Sequence, residues 1–128
     1  MTITGVGAVG STLQLWVGDG SAGRAWYERL FGRAPDFRPE NDDSFCEWIF
    51  VPGHWEVHVV EHPEPGRQQG RFRFGVEEID RVRAELMDAG VDVSEVTTIE
   101  RVVKYCDFAD PWGNRLGLYQ DLSRYPAS

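Results

Sequence analysis

The sequence has few of the features that mark several large classes of protein. Only two of its 128 residues are cysteine, and neither Cys46 nor Cys106 belongs to a CxxC motif, so we expect two reduced, half-buried thiols. It contains no run of 18 apolar residues and no positively charged, apolar leader, so neither a membrane span nor a signal peptide is predicted. The cytoplasm is therefore the expected location.

Basic residues are also scarce. Lys and Arg number 13 against 21 Asp and Glu, which gives a formal net charge of −8 and a pI near 4.8. Since affinity for nucleic acid comes chiefly from Lys and Arg on phosphates, a nucleic-acid partner is not expected. The acidity, combined with five Trp residues, leaves open a ligand that is both cationic and aromatic.

Common catalytic motifs are missing. The sequence lacks a Walker loop, an HExxH motif, a nucleophile elbow and a Ser-His-Asp order. A GxGxxG pattern does occur at Gly5–Gly10, but a strand pattern follows it where the dinucleotide motif requires a helix. We therefore interpret residues 1–10 as a flexible lead-in and predict no cofactor.

What the sequence does contain is a repeat. The order aromatic, Cys, acid, aromatic occurs at Phe45–Trp48 and again, 60 residues later, at Tyr105–Phe108. With an offset one residue shorter, Leu15–Asp19 falls on Phe74–Glu78. The chain is therefore predicted to be one α+β domain made of two β-α-β-β-β modules. Their expected limits are residues 11–62 and 71–122, with a linker at 63–70 and a tail at 123–128.

The first module begins with a predicted strand over residues 11–17. Alternation directs Leu13, Leu15 and Val17 toward a helix, and Thr12, Gln14 and Trp16 toward the space that the sheet encloses. Further strands are expected at residues 36–40, 44–51 and 54–60.

The helix of the first module is expected to begin at a cap, Asp19 or Ser21, and to end at Gly32. The spacing of Ala22, Trp26 and Leu30 predicts that these three side chains form its buried face.

The second module is predicted to repeat this order. A strand over residues 71–76 precedes a helix that begins at Glu78 or Asp80 and ends at Gly90, and residues 93–103 form a broken or bulged strand. The last two strands flank a tight turn at Asp110–Asn114, in which the Asp110 side chain is expected to act as a cap rather than as a catalytic acid.

Three histidines, His54, His58 and His62, lie four residues apart. Their surroundings are β in character, and strand positions four apart are roughly 13 Å from each other, too far to share an ion. We therefore predict no metal site from these three side chains.

The doubled pattern, with Trp16–Asp19, Tyr27–Gly32 and above all Phe108–Asn114, resembles the superfamily of glyoxalases, bleomycin resistance proteins and extradiol dioxygenases, the vicinal oxygen chelate fold. The resemblance covers residues 11–122. It implies two modules that join their sheets into a deep cup, with the helices outside, usually in a homodimer.

Enzymes of this superfamily hold a divalent metal in the cup through the first and last strands of each module. The matching positions here are Thr12, Arg71 and Gly117, together with either Glu56 or His58. Thr, Arg and Gly cannot supply the three or four ligands that such an ion needs, so no metal is predicted. We expect Arg71 to pair with Glu56 and to take the structural place of the ion.

Without that metal, the resemblance implies the antibiotic-binding branch, whose members sequester a drug without modifying it. The leading hypothesis is a homodimeric binding protein for a small aromatic or natural-product ligand. An enzyme that uses acid-base residues such as Glu56 and His58, or a displaced metal site, is the alternative, and a scaffold dimer with a vestigial cup is the third. The predicted ligand-binding residues are Thr12, Gln14, Trp16, Trp48, Glu56, His58, Arg71, Arg73, Tyr105, Phe108, Trp112, Gly117 and Tyr119.

Overall fold

The computed structural model describes residue 4, residues 9–68 and residues 70–123. Within them the elements are β1 Ser11–Val17, α1 Gly20–Phe31, β2 Phe45–Val51, β3 Trp55–Glu61, a 3-10 helix Pro65–Arg67, β4 Arg71–Gly75, α2 Ile79–Asp88, β5 Thr97–Ile99, β6 Val103–Ala109 and β7 Arg115–Asp121. The predicted α+β class is confirmed. Most of the predicted lead-in and tail, residues 1–3, 5–8 and 124–128, lies outside the described residues.

The chain divides into two compact units, Met1–Pro65 and Gly66–Ser128. Each unit has its own sheet, with strand order β1-β3-β2 in the first and β4-β7-β6-β5 in the second. The first and last strands of each unit pair in parallel, and the remaining neighbours pair antiparallel. None of the helices in the described part of the chain has the length and apolar character that a membrane crossing requires.

Helix α1 begins and ends where the sequence predicts. The Asp19 carboxylate accepts a hydrogen bond from the Ala22 amide at 3.0 Å, so Asp19 rather than Ser21 is the cap. At the other end Gly32 has φ +75°, a conformation that suits glycine, and its amide donates to the Glu28 carbonyl.

The buried face of α1 differs from the prediction. Tyr27, Gly20 and Gly23 are buried, whereas Ala22 is exposed and Trp26 is only half-buried. The helix approaches the sheet so closely that a Cβ on Gly23 would lie 2.6 Å from the Val17 side chain. Glycines therefore define the contact face, and a pattern of apolar residues cannot reveal them.

The predicted strand over residues 36–40 is reduced to a single bridge between Phe37 and Glu47. The Asp36 carboxylate accepts from the Ile49 amide at 2.7 Å, so a side chain occupies a backbone donor at the edge of β2. Pro39 has no amide hydrogen with which to extend the pairing.

The broken strand predicted over residues 93–103 is mostly not a strand. Only Thr97–Ile99 pairs with β6 before a turn in which Arg101 has φ +66° and the Val102 amide donates to the Ile99 carbonyl. Upstream, the Ser94 amide donates to the Asp107 carbonyl, and the Asp107 amide donates to the Ser94 hydroxyl. These two bonds satisfy the backbone of Asp107 without regular strand pairing.

The turn between β6 and β7 confirms the predicted role of Asp110. Its carboxylate, 5% exposed, accepts hydrogen bonds from the amides of Trp112 and Asn114 and from the Asn114 side chain. Gly113 supplies the positive φ, +86°.

The two cysteines occupy corresponding positions in β2 and β6 as free thiols. Both are buried rather than half-buried, because they face the helix side of their sheets. Burial raises the pKa of the Cys46 thiol from 9.0 to about 11 and also raises that of Cys106.

Candidate functional site

Each sheet has a face turned away from its helix, and we call it the open face of that unit. In the first unit, alternation places Thr12, Gln14 and Trp16 of β1 on this face, beside Glu56 and His58 of β3. The register sets Thr12 opposite Glu56 and Gln14 opposite His58. The predicted alternation of β1 is observed, and a role of these residues in ligand binding stays a prediction.

The centre of the first open face is a cluster of Glu47, Glu56 and His58. The His58 Nε2 atom lies 3.2 Å from Glu47 Oε2 and 3.1 Å from Glu56 Oε1. All three side chains are half-buried, and the Phe45 ring meets the imidazole edge-on at 5.2 Å. One ring nitrogen therefore faces two carboxylates, an arrangement that can hold a proton between them or take up a cation.

Trp16 already has a stacking partner from its own unit. The His62 ring lies parallel to it, with centroids 3.7 Å apart and an interplanar angle of 8°. The indole N–H donates to Gln14 Oε1 at 2.8 Å. One face of the Trp16 ring is thus covered by the chain itself.

The three histidines have different surroundings, in agreement with the distances expected along a strand. His54 Nδ1 lies 2.7 Å from the Val9 carbonyl, His62 stacks on Trp16, and His58 joins the two glutamates.

The open face of the second unit is organised by an ion pair. Arg73 binds Asp107 through two hydrogen bonds, Nε to Oδ1 at 2.8 Å and Nη2 to Oδ2 at 3.1 Å. The guanidinium also lies 4.5 Å from the centre of the Tyr105 ring. The hydrogen bond to Asp107 raises the pKa of Arg73, so the guanidinium keeps its positive charge.

Arg71, the neighbour of Arg73 on the same face, donates from Nη1 to the carbonyls of Leu116 and Phe108. The same nitrogen lies 3.6 Å from Asp107 Oδ1. The pairing of Arg71 with Glu56 would join the two units and stays a prediction.

Gly117 leaves no open space on this face. A Cβ at this position would lie 2.7 Å from Asp107 Oδ1 and 2.9 Å from Arg73 Cγ. The space that the glycine leaves is therefore filled by the Arg73–Asp107 pair, which crosses the sheet above it.

A cavity of about 540 Å³ opens on this face. Its lining consists of Arg71, Arg73, Val103, Tyr105 and Tyr119. Two tyrosine rings and two guanidinium groups, with one aliphatic side chain, give it both apolar walls and polar anchors.

Two predicted ligand-binding residues are corrected. Trp48 is fully buried on the helix side of β2, where it packs near Tyr27 and Phe31 and donates to the Arg33 carbonyl. Phe108 is 5% exposed and pairs with the buried Leu116 on the helix side of β6.

Trp112 lies in the turn before β7 and is half-buried.

The residues of the second unit do not fit the divalent ion that the fold family implies. At the matching positions of the second unit, Arg71 carries a fixed positive charge and Gly117 has no side chain. The nearby carboxylate, Asp107, is already bound by Arg73 in a bidentate pair. A cation placed there would meet two guanidinium groups.

Sequence reasoning missed two of the acidic residues that organise these faces, Glu47 and Asp107. The repeat contained the signal, because both occupy the acid position in the order aromatic, Cys, acid, aromatic. Alternation against the buried Cys46 and Cys106 then places both carboxylates on the open faces.

No protein-family model matches this sequence, and no curated protein matches it. Solved structures do. A glyoxalase / bleomycin resistance protein from Catenulispora acidiphila is 26% identical, with a TM-score of 0.68 over 88% of this chain and 98% of that one. A superfamily member from Sphaerobacter thermophilus is 17% identical, with a TM-score of 0.70 over 89% and 98% of the two chains.

A third similar structure is a bleomycin-binding protein in complex with bleomycin, 19% identical, with a TM-score of 0.66 over 87% of this chain and 97% of that one. The resemblance seen in the sequence is thereby confirmed: the chain has the fold of the glyoxalase, bleomycin resistance protein and dioxygenase superfamily.

Proposed function

We propose that this protein binds a small aromatic or natural-product molecule, without the divalent ion of the superfamily's enzymes, and holds it rather than transforming it. Drug sequestration or self-resistance is the corresponding role. The observation that carries the proposal is the Arg73–Asp107 pair above Gly117. It fills a position that the metal enzymes use for a ligand to the ion, beside a cavity with aromatic walls.

The cavity has properties that suit this role. Its volume of about 540 Å³ lies in the range of small-molecule sites, and Tyr105 and Tyr119 offer rings for stacking. A protein of the same fold binds bleomycin, which makes that drug a natural first ligand to test. The proposal includes a homodimer that is located in the cytoplasm. Light scattering tests the dimer.

Calorimetric titration tests the binding proposal. Bleomycin and a set of planar aromatic compounds are titrated into the wild type, a Tyr119→Ala variant and a Met87→Ala control, which removes an exposed apolar side chain from α2. We expect at least one compound to bind the wild type and the control equally, and Tyr119→Ala to weaken it by about tenfold, since stacking on one ring contributes roughly 1–2 kcal/mol. Binding that is unchanged in Tyr119→Ala would contradict the proposed site.

A second candidate function, an enzyme with acid-base residues or a displaced metal site, is favoured by the cluster of Glu47, Glu56 and His58. Its donor atoms lie within 4.8 Å of one another, and three protein ligands are enough for a catalytic zinc site. Elemental analysis after loading with Zn, Ni, Mn or Fe and dialysis distinguishes the two functions. One equivalent of metal that is lost in Glu47→Gln but kept in the helix-surface control Glu85→Gln would support the enzyme.

A further inference from the structure

The open face of the second unit carries more positive than negative charge. Arg71 and Arg73 of β4 lie on it, and alternation adds Arg115, the register partner of Arg71 on β7. The negative charges on this face are the carboxylates of Asp107 and Asp121. Asp121 lies at the far end of β7 and accepts hydrogen bonds from Ser123. This face is therefore basic in a chain whose net charge is −8.

Arg71 and Arg73 share a single carboxylate, that of Asp107, so their two positive charges are only half balanced by it. Both oxygens of Asp107 bind Arg73, and the distance from Asp107 to Arg71 Nη1 is longer, 3.6 Å. Arg71 instead donates to two backbone carbonyls, which carry no net charge. Among the described residues, its contacts all use Nη1, so Nη2 and Nε remain as donors in the wall of the cavity.

Aromatic side chains line the same cavity as this guanidinium. The Tyr119 side chain lies over Gly75, where a Cβ would be 2.8 Å from the phenol, and its residue is 40% exposed. Tyr105 pairs with Tyr119 across the sheet and supports Arg73. A flat ring and an anion can thus be held side by side.

We propose that the ligand of this cavity is an aromatic carboxylate, whose ring stacks on Tyr119 while its carboxylate accepts hydrogen bonds from Arg71. This inference rests on the proposed function and deepens it by naming the ligand class. Arginine suits the role because its planar donors match a carboxylate. The local charge thus favours the opposite sign of ligand from the one that the overall composition left open.

Three probes with one ring system test the sign of the ligand. Calorimetry compares 2-naphthoate, the neutral 2-naphthamide and the cationic 2-naphthylmethylamine on the wild-type protein at low and high salt. We expect 2-naphthoate to bind about tenfold or more tightly than the amide, because charge-assisted hydrogen bonds are stronger than neutral ones. The difference should shrink in high salt.

An Arg71→Gln variant locates the effect, with Arg81→Gln as its control, because Arg81 is a helix-surface arginine of the same unit that pairs with Glu78 and Glu85. The preference for 2-naphthoate should disappear in Arg71→Gln and persist in Arg81→Gln. If Arg71→Gln does not fold, the comparison of the three probes on the wild type still decides the question.

The outcomes separate this inference from the proposed function. Equal binding of the three probes, or tighter binding of the amine, would overturn the anionic ligand while small-molecule binding stands. No binding of any of the three, together with no binding of bleomycin or the planar set, would overturn both.

Discussion

At the scale of single residues, the chemistry of the second unit depends on a glycine. Gly117 lets Arg73 cross β7 and reach Asp107, and this ion pair in turn places a guanidinium against Tyr105. A side chain at this position would clash with both members of the ion pair. The Arg73–Asp107 pair therefore requires a glycine at position 117.

Gly117→Ala is therefore expected to destabilise the protein by about 1–3 kcal/mol, since the new methyl group would overpack the site. It would lie 2.6 Å from the Cys106 carbonyl, a backbone atom that cannot easily move. Chemical denaturation measures the change. Gly66→Ala is the matched control, because a Cβ there meets nothing within 4 Å; equal stabilities of the two variants would contradict the account.

The buried thiols give a pH-dependent prediction. Burial raises the pKa of Cys46 from 9.0 to about 11, so the unfolded chain loses this proton first as the pH rises. The contribution to stability is complete below pH 9 and is lost between pH 9 and about 11.

The burial of the two thiols can be measured directly by thiol titration with a disulfide reagent at pH 8, in buffer and in denaturant. Both cysteines should react rapidly only when the protein is unfolded. In the native protein burial raises the thiol pKa, which lowers the fraction of the reactive thiolate. Rapid reaction of either thiol in the native protein would contradict its burial.

At the scale of elements, the caps of α1 show how local sequence defines helix limits. Two candidate caps were left open by the sequence, and the structure selects Asp19, whereas Ser21 donates to the Asp43 carboxylate.

Asp19→Ala should lower the free energy of unfolding by about 1 kcal/mol, through the lost bond to the Ala22 amide. Ser21→Ala should cost only a few tenths of that, because its bond is an exposed side-chain contact. Thermal and chemical denaturation of the two variants compare these costs, and a larger loss in Ser21→Ala would reverse the assignment of the cap.

The strands were largely predictable because alternation is a direct consequence of backbone geometry. β1, β6 and β7 lie where the pattern indicates, and the turn at Asp110 has the expected bonds. The buried face of α1 was not predictable, because Gly20 and Gly23 allow the helix to approach its neighbours closely but carry no apolar side chain. The strand predicted at 36–40 does not form because the Asp36 carboxylate accepts a hydrogen bond from the Ile49 amide. Strand propensities do not predict such a side-chain contact.

The open faces were predictable only in part, for a related reason. Alternation correctly selected Thr12, Arg71 and Arg73, but the partners of these residues come from register across strands. The pairing of Asp107 with Gly117 is what brings its carboxylate to Arg73. Trp48 was misassigned because a large aromatic residue fits a helix-packed core as well as a ligand site.

At the scale of the whole molecule, the two units repeat a fold but differ in the charge of their open faces. Glu47 and Glu56 make the first face acidic, and the arginines of β4 make the second basic. The same position in the repeat thus serves a His-carboxylate cluster in one unit and an Arg-carboxylate pair in the other. Duplication conserves the sheet, while single substitutions set the chemistry.

We propose that this protein holds an aromatic ligand without help from a divalent ion. The most direct test is calorimetric titration of the tightest-binding planar probe into protein dialysed against EDTA, and into the same protein after zinc is added back. We predict the same affinity in both states and a loss of binding in Tyr119→Ala. Binding that vanishes after EDTA and returns with zinc would show that the ligand is held through a metal ion.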